Sequence, residues 1–237
     1  MGWSVVVSVA AGAVAAVFLS SCGTQGIGEM VRESRTVDLE NAQSVHAKLR
    51  MGAGELILTG GADALMEADF SYNVADWEPE VNYEVGGDAG ELSVEQGGGE
   101  GVTGGDARNE WDLRLNDDVP IDLEVEMGAG ESDFDLDSLT LTGLDLQMGA
   151  GRTTVDLTGD YDRGIDASIQ GGVGEATVRL PSGIGVRVNA EGGIGQINAE
   201  GLQRQGETYV NDAYGESDVT LDVDVEGGVG RINLEVV

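Results

Sequence analysis

The sequence predicts an all-β fold, a single-domain β-solenoid of glycine-cornered repeats with loop insertions. Apolar residues alternate with polar ones over most of the chain, which indicates strands with one buried face. The composition agrees, since 39 glycines and only 5% aromatic residues are typical of short aliphatic strands joined at tight bends. An antiparallel β-sandwich, with each glycine pair at a hairpin tip, is the alternative.

A four-residue glycine motif recurs along the chain in seven copies. The copies read MGAG, GDAG, MGAG, MGAG, GGVG, GGIG and GGVG, and their final glycines are Gly54, Gly90, Gly130, Gly151, Gly174, Gly195 and Gly230. Alternation precedes each final glycine, and apolar residues then resume three positions later rather than two. This repeated slip predicts a bend at which the chain turns while the same face stays inside. Glycine suits such a bend because it adopts positive φ freely.

The phase of the alternation separates inward from outward positions. None of the predicted inward positions is charged, whereas most of the charged residues near the motif fall between them. This phase also predicts that the residue before the final glycine, such as Val173, Ile194 or Val229, faces inward. A unit of two short strands cannot bury its own inner face, so we expect the strands of successive copies to stack in parallel.

The N-terminus predicts export and a lipid anchor. Residues 3–19 are an uncharged apolar run, typical of a signal peptide, and end in LSSC. This ending resembles a bacterial lipobox with Cys22 as the lipidated residue, although a cleaved signal with a coincidental cysteine is the alternative. The predicted division is therefore a signal peptide at 1–21, a polar tether at 22–36 and the solenoid at 37–237. The protein is expected to be extracytoplasmic, with the membrane as a partner through the anchor.

The charge balance is strongly acidic, with a formal net charge of -32. Nucleic acid is excluded as an expected partner, because phosphate contacts require clustered Lys and Arg. Self-repulsion of this size favours a high-salt habitat, since the Debye length falls to about 3 Å at 1 M salt.

Three insertions, at 61–80, 97–120 and 202–220, interrupt the repeats and hold most of the large aromatic residues. One interpretation is a binding surface on loops, formed by Trp77, Trp111, Tyr209 and Tyr214. The other is that the insertions cap the ends and edges of the solenoid.

The sequence offers few groups for catalysis or metal binding. The weak candidates for a divalent cation are Asn116, Asp117, Asn211 and Asp212. The alternative is that the acidic residues are simply solvated. His46 is the only histidine and stands at an outward position, without a serine in a nucleophile setting. We predict no cofactor and no enzyme, with an enzyme of paired carboxylates acting on envelope polysaccharide as the alternative.

Segments such as MGAGELILTGGADAL, LPSGIGVRVNAEGGIG and EGGVGRINLEV resemble the toast-rack domain. This is a bacterial β-solenoid family of unassigned activity, related more loosely to adhesin-like solenoids. The resemblance covers most of 37–237 and implies a binding or scaffolding module of the cell envelope. Its expected partners are envelope polysaccharide or a membrane protein. A role as an accessory to envelope stress signalling is the alternative, because toast-rack domains also occur in proteins of that response.

Overall fold

The computed structural model describes residues 27–98 and 106–237, which form an all-β fold, as predicted. The strands are β1 (Val31–Val37), β2 (Ser44–Thr59), β3 (Met66–Tyr72), β4 (Pro79–Gly86), β5 (Ala89–Gln96), β6 (Asn109–Leu115), β7 (Ile121–Asp135), β8 (Leu141–Asp156), β9 (Ile165–Leu180), β10 (Gly185–Glu200), β11 (Gln203–Gln205), β12 (Thr208–Val210) and β13 (Thr220–Val236). A short 3-10 turn spans Ala75–Trp77. The predicted signal peptide and Cys22 lie outside the described residues.

Six long strands carry the glycine motif at their centre and pair in parallel in the order β2, β7, β8, β9, β13, β10. Their final glycines pair with one another across the sheet, and all six have positive φ, from 140° to 157°. These glycines bend every strand at the same level. The prediction of a glycine-cornered solenoid is therefore confirmed.

The bend divides each long strand into a first arm, before the final glycine, and a second arm, after it. Side chains from both arms form one core: in β7, for example, Leu123 and Val125 of the first arm and Phe134 of the second are fully buried. Strands β5 and β4 extend the first arms beside β2, whereas β6, β3 and β1 extend the second arms. At the other end, β12 and β11 extend only the first arm of β10.

The order of the last two copies differs from the prediction that successive copies pair. Strand β13 lies between β9 and β10, with Val229 paired to Val173 on one side and to Ile194 on the other. The physical reason is that all copies share the same alternation and the same glycine phase. The last copy therefore fits between two others as well as it would fit at the end.

The second copy, GDAG, forms a hairpin rather than a bend. Strands β4 and β5 pair antiparallel, and Gly87 adopts the positive φ of 76° at the turn. Gly90 stands in β5 under the ring of Tyr83, whose hydroxyl would be 2.6 Å from a Cβ at that position. Six of the predicted bends therefore form, and the antiparallel alternative holds only for this copy.

The described domain begins earlier than predicted. Residues 31–36, assigned to the tether, belong to β1, which pairs antiparallel with β3 from Val31 opposite Tyr72 to Val37 opposite Met66. Val37 is buried, and the residues before it alternate between half-buried and exposed. The sequence shows no hydrophobic alternation here, because the residues of this edge strand are largely polar on both faces.

Candidate functional site

The bend brings the backbones of the six long strands unusually close. A Cβ atom on Gly130 would lie 1.8 Å from the carbonyl oxygen of Gly54, and the same relationship repeats through the other final glycines at 1.7–1.8 Å. A second row of glycines, two residues earlier, shows the same crowding: Gly128 would place a Cβ 2.3 Å from the carbonyl oxygen of Gly52. In β7, β8, β9, β10 and β13 a Cβ atom fits at neither glycine, so at the bend only the residue between the two glycines carries a side chain.

Large aliphatic side chains lie exposed along this bend. The residue before the final glycine is Val173 in β9, Val229 in β13 and Ile194 in β10, and these are 57%, 46% and 74% exposed. They are neighbours in register on adjacent strands, which lie about 4.8 Å apart. We call these three residues the aliphatic stripe. The same position in β2, β7 and β8 is alanine.

The exposure of the aliphatic stripe corrects the prediction that this position faces inward. The prediction continued the alternation up to the final glycine, but the positive φ of that glycine changes the course of the chain at the bend. Burial resumes only with the second residue after the glycine, as Ile232 in β13 shows. Contiguous exposed apolar residues are a common feature of interaction surfaces, so the aliphatic stripe is a candidate for one.

The inner side of the bend is more open under the aliphatic stripe than elsewhere. In β7 and β8 the inward position three residues before the final glycine holds Met127 and Met148, whereas β9, β13 and β10 have glycine there. Ile232 partly fills the space in β13, where a Cβ on Gly227 would be 3.1 Å from its terminal carbon. A small apolar cleft remains at this bend.

A row of paired charges runs beside the aliphatic stripe on the second arms. Arg152 donates to Glu131 at 3.0 Å, and Arg231 donates to Glu175 at 3.1 Å. The hydrogen bonds from Arg231 and Asn233 hold the pKa of Glu175 below its usual range. The row therefore forms a polar rim next to an apolar surface.

The basic residues of β2 are held by acids on both neighbouring strands. Lys48 forms an ion pair with Glu124 and another with Glu126 at 3.2 Å, and Arg50 pairs with Glu95 of β5 at 3.1 Å. The bond to Glu124 raises the pKa of Lys48, and the bond from Lys48 lowers the pKa of Glu126. The only lysine of the chain thus serves to balance the acidic face of the first arms.

The structure places the two tryptophans of the predicted binding surface in the interior. Trp111 is 1% exposed, packs edge-on against Phe70 at 5.3 Å between ring centroids, and donates its Nε1 hydrogen to Asn109 at 2.9 Å. Trp77 is 8% exposed. Both therefore pack in the interior, as the alternative interpretation expected, and neither presents an exposed ring on the described surface.

Tyr209 and Tyr214 are half-buried in the insertion that covers β10. Tyr209 packs against the edge of the core, and the Arg204 guanidinium lies 5.9 Å from the centre of its ring. Their part in binding stays a prediction.

The metal candidates do not assemble into one site. Asn211 donates to the carbonyl oxygens of Pro181 and Ile184 at 3.1 and 2.7 Å, and its Oδ1 accepts from the Val186 amide at 3.0 Å. Asp212 is exposed and accepts from Gln203. The asparagine amide is thus occupied by backbone groups of the loop that precedes β10.

The other pair has the same structural role in a different loop. Asn116 donates to the carbonyl oxygen of Ala62 at 3.1 Å, and Asp117 accepts from the Gly61 amide and the Ser138 hydroxyl, both at 2.9 Å. Over residues 27–98 and 106–237, no three His, Cys, Asp or Glu residues lie close enough to hold a metal ion.

Carboxylates gather where β7 and β8 end. Partial burial, with the negative charges of Asp135 and Asp156, raises the pKa of Asp137. Burial also raises the pKa of Tyr161, whose buried hydroxyl has no hydrogen-bond partner among the described residues. The carboxylates of Asp135, Asp137 and Asp156 therefore repel one another at this end of the sheet.

Residues 26–179 match the family model described as the N-terminal domain of toast_rack, DUF2154. The chain belongs to the toast-rack family. The family resemblance predicted from the sequence is thereby confirmed. The matched region ends within β9, so β10 and β13, with two of the three residues of the aliphatic stripe, lie beyond it.

The toast-rack protein is also similar to solved structures. A candidate cell adhesion protein from Clostridium sporogenes is 37% identical, with a TM-score of 0.86, and the alignment covers 88% of this chain and 100% of that one. A candidate adhesin from Parabacteroides merdae is 9% identical with a TM-score of 0.31, over 90% of this chain and 98% of that one. No curated protein matches the toast-rack protein significantly. Within the described part of the chain, no helix has the length and apolar character to cross a bilayer.

Proposed function

We propose that this toast-rack protein is a non-catalytic binding module of the bacterial cell surface, tethered through a lipid on Cys22. The observation that carries the proposal is the aliphatic stripe, in which three adjacent large aliphatic side chains are left in solvent. The similarity to a candidate cell adhesion protein over most of both chains supports a surface role.

The chemistry of the aliphatic stripe favours a protein partner over a polysaccharide. Apolar patches with a polar rim are typical of protein contacts, and here the rim includes Glu175 and Arg231. The burial of Trp77 and Trp111 leaves two fewer aromatic rings on which a sugar ring could stack. A membrane protein of the envelope with an apolar patch of its own fits this surface.

A non-catalytic role agrees with the state of the titratable groups. His46 contacts Asp122 at 3.2 Å and Glu124 at 3.7 Å on the solvated face of β2 and β7. A general acid or base works within a site that positions a substrate, whereas these side chains lie on an open strand face.

The binding role is tested with beads that carry the purified chain and are mixed with cells that lack the corresponding gene. We expect the double substitution Val173→Ser and Val229→Ser to weaken bead binding by about thirty-fold, since two central apolar contacts of about 1 kcal/mol each are removed. The matched control is Val31→Ser, because Val31 is 45% exposed but lies on edge strand β1, remote from the stripe in the sheet order. Equal binding by the double variant and the control would contradict the proposal.

The anchor is tested separately through Cys22→Ser. We expect the wild-type chain to incorporate labelled fatty acid and to fractionate with membranes, and the variant to do neither, because the acyl chains supply the membrane affinity. Membrane association without incorporated label would show that the anchor assignment is wrong.

A further inference from the structure

The second arm of β10 is an open edge of the sheet. From Gly195 to Glu200 it pairs in parallel with β13 on one side. Strand β12 covers β10 only at Arg187–Asn189, on the first arm. No other described strand pairs with the second arm, so its outer backbone groups face solvent.

This edge lacks the features by which proteins prevent edge strands from pairing. Residues 192–199 read GGIGQINA and hold no charged residue and no proline. Charged side chains and proline are the usual protection, and the other edges have them. Edge strand β1 contains Arg32, Glu33 and Arg35, and β4 begins at Pro79. In a chain with a net charge of -32, an uncharged edge is unexpected.

The apolar side chains of this arm are incompletely covered. Ile197 and Ala199 are half-buried, whereas Ile232 and Leu234, their partners in register on β13, are 4% and 1% exposed. Ile194, directly before the final glycine of β10, is 74% exposed. One further strand beside β10 would cover Ile197 and Ala199 as β10 covers the residues of β13. A solenoid end of this kind requires a cap, and the insertion at 202–220 supplies one only for the first arm.

We propose that a second copy of this chain completes the sheet, with the second arms of two β10 strands pairing antiparallel about a two-fold axis at Ile197. In this register Gln196 of one copy stands opposite Asn198 of the other, and Ile194 stands opposite Glu200. No two like charges face each other. Isologous pairing of this kind closes after two copies and leaves no new edge.

The charge of the chain argues for a second copy as the occupant. Two copies with the same large negative charge associate most readily where the contact holds few carboxylates, and within residues 194–200 the only charged side chain is that of Glu200, which stands opposite Ile194. A cationic partner would instead be attracted to the acid-rich strand faces, such as the one that holds Asp222 and Asp224. The remaining long-range repulsion predicts that pairing strengthens with salt.

The test is sedimentation equilibrium of the full-length chain in density-matched detergent. We expect a dimer in about 1 M NaCl, where the Debye length is about 3 Å, and dissociation as salt is lowered. The double substitution Gln196→Glu and Asn198→Glu puts two like-charged pairs across the two-fold axis and is expected to weaken the dimer by about five-fold at the lowest salt concentration at which the wild-type chain still dimerises. Circular dichroism checks that the fold is unchanged.

The matched control is Gln196→Glu with Asn198→Lys, which places opposite charges across the same axis and is expected to keep the dimer. Both variants set a carboxylate beside Arg231, the partner of Gln196 on β13, so their effects within one copy are alike at that position. A monomeric wild-type chain in 1 M NaCl, or equal dimerisation by the two variants, would overturn the proposal. Bead binding by the chain with Val173→Ser and Val229→Ser is measured separately, and neither residue lies in the β10 contact, so failure of the dimer and failure of the proposed function are distinguishable.

Discussion

The carbonyl oxygen of Gly130 lies 1.8 Å from the position that a Cβ atom on Gly151 would occupy. Gly151 also has a φ of 142°, which L side chains rarely adopt. We therefore expect Gly151→Ala to lower the free energy of unfolding by about 4 kcal/mol or more, since it adds a backbone clash to a strained conformation. Chemical denaturation monitored by circular dichroism measures this change.

The control for this substitution is Gly86→Ala. Gly86 is also a strand glycine, but a Cβ there would meet nothing within 4 Å. We expect its effect to stay within about 0.5 kcal/mol. If Gly151→Ala were equally mild, the close stacking of the bend would be wrong.

Asn211 is predicted to stabilise the fold rather than to bind a metal. Asn211→Ala removes three hydrogen bonds to backbone groups and leaves those groups without their partner, so we expect a loss of about 2–4 kcal/mol in unfolding free energy. The loss should be the same with calcium or with a chelator. Asp212→Ala, at the exposed neighbouring residue, should cost about 0.5 kcal/mol or less. A loss that appears only in the presence of calcium would restore the metal interpretation.

Salt is predicted to stabilise this protein because the net charge is -32. We expect the melting temperature to rise steeply with NaCl, as the high-salt hypothesis requires. Lys48→Met removes the cation that lies between Glu124 and Glu126, so we expect it to cost about 1 kcal/mol at low salt and less at 1 M. Arg163→Met should have little effect at any salt concentration, because Arg163 pairs only with its exposed neighbour Asp162. A flat salt response of the wild-type chain would contradict the hypothesis.

Acidification is predicted to stabilise the fold by neutralising the partly buried carboxylate of Asp137. Because its pKa is raised in the folded state, the folded chain holds this proton more tightly than the unfolded chain, and protonation stabilises the fold. The contribution is present at low pH and is lost as the pH rises through the raised pKa. Asp137→Asn imitates the protonated state, so we expect it to raise the melting temperature at pH 7. The difference from the wild-type chain should shrink towards about pH 4. Asp162→Asn, at an exposed carboxylate, is the control, and an identical pH profile for the two variants would exclude this origin.

The sequence was sufficient for the parts of the fold that depend on local pattern. Alternation alone distinguishes the buried Leu123 and Val125 from the outward Glu124, because a strand has only two faces. The final glycines were identifiable because the phase slips at each one, and the structure requires glycine there for both φ and space.

The remaining features depend on contacts between distant residues, which a repeating pattern does not specify. Nothing in the alternation of β13 tells whether it follows β10 or lies between β9 and β10. The burial of Trp111 depends on Phe70 and Asn109, which join it only in the folded sheet. The exposure of Val173 depends on the course of the chain at the bend. The asparagines were predicted as metal ligands because a loop asparagine looks the same in the sequence whether it binds a cation or holds a turn through backbone hydrogen bonds.

The position of β13 constrains the order in which the molecule can be completed. Its 17 residues follow β10 in the chain, yet they stand inside the sheet with a neighbour on each side. Strand β10 therefore reaches its final place only after β13 has been synthesised. A chain that is cut short before Thr220 would lack an interior layer rather than an outer one.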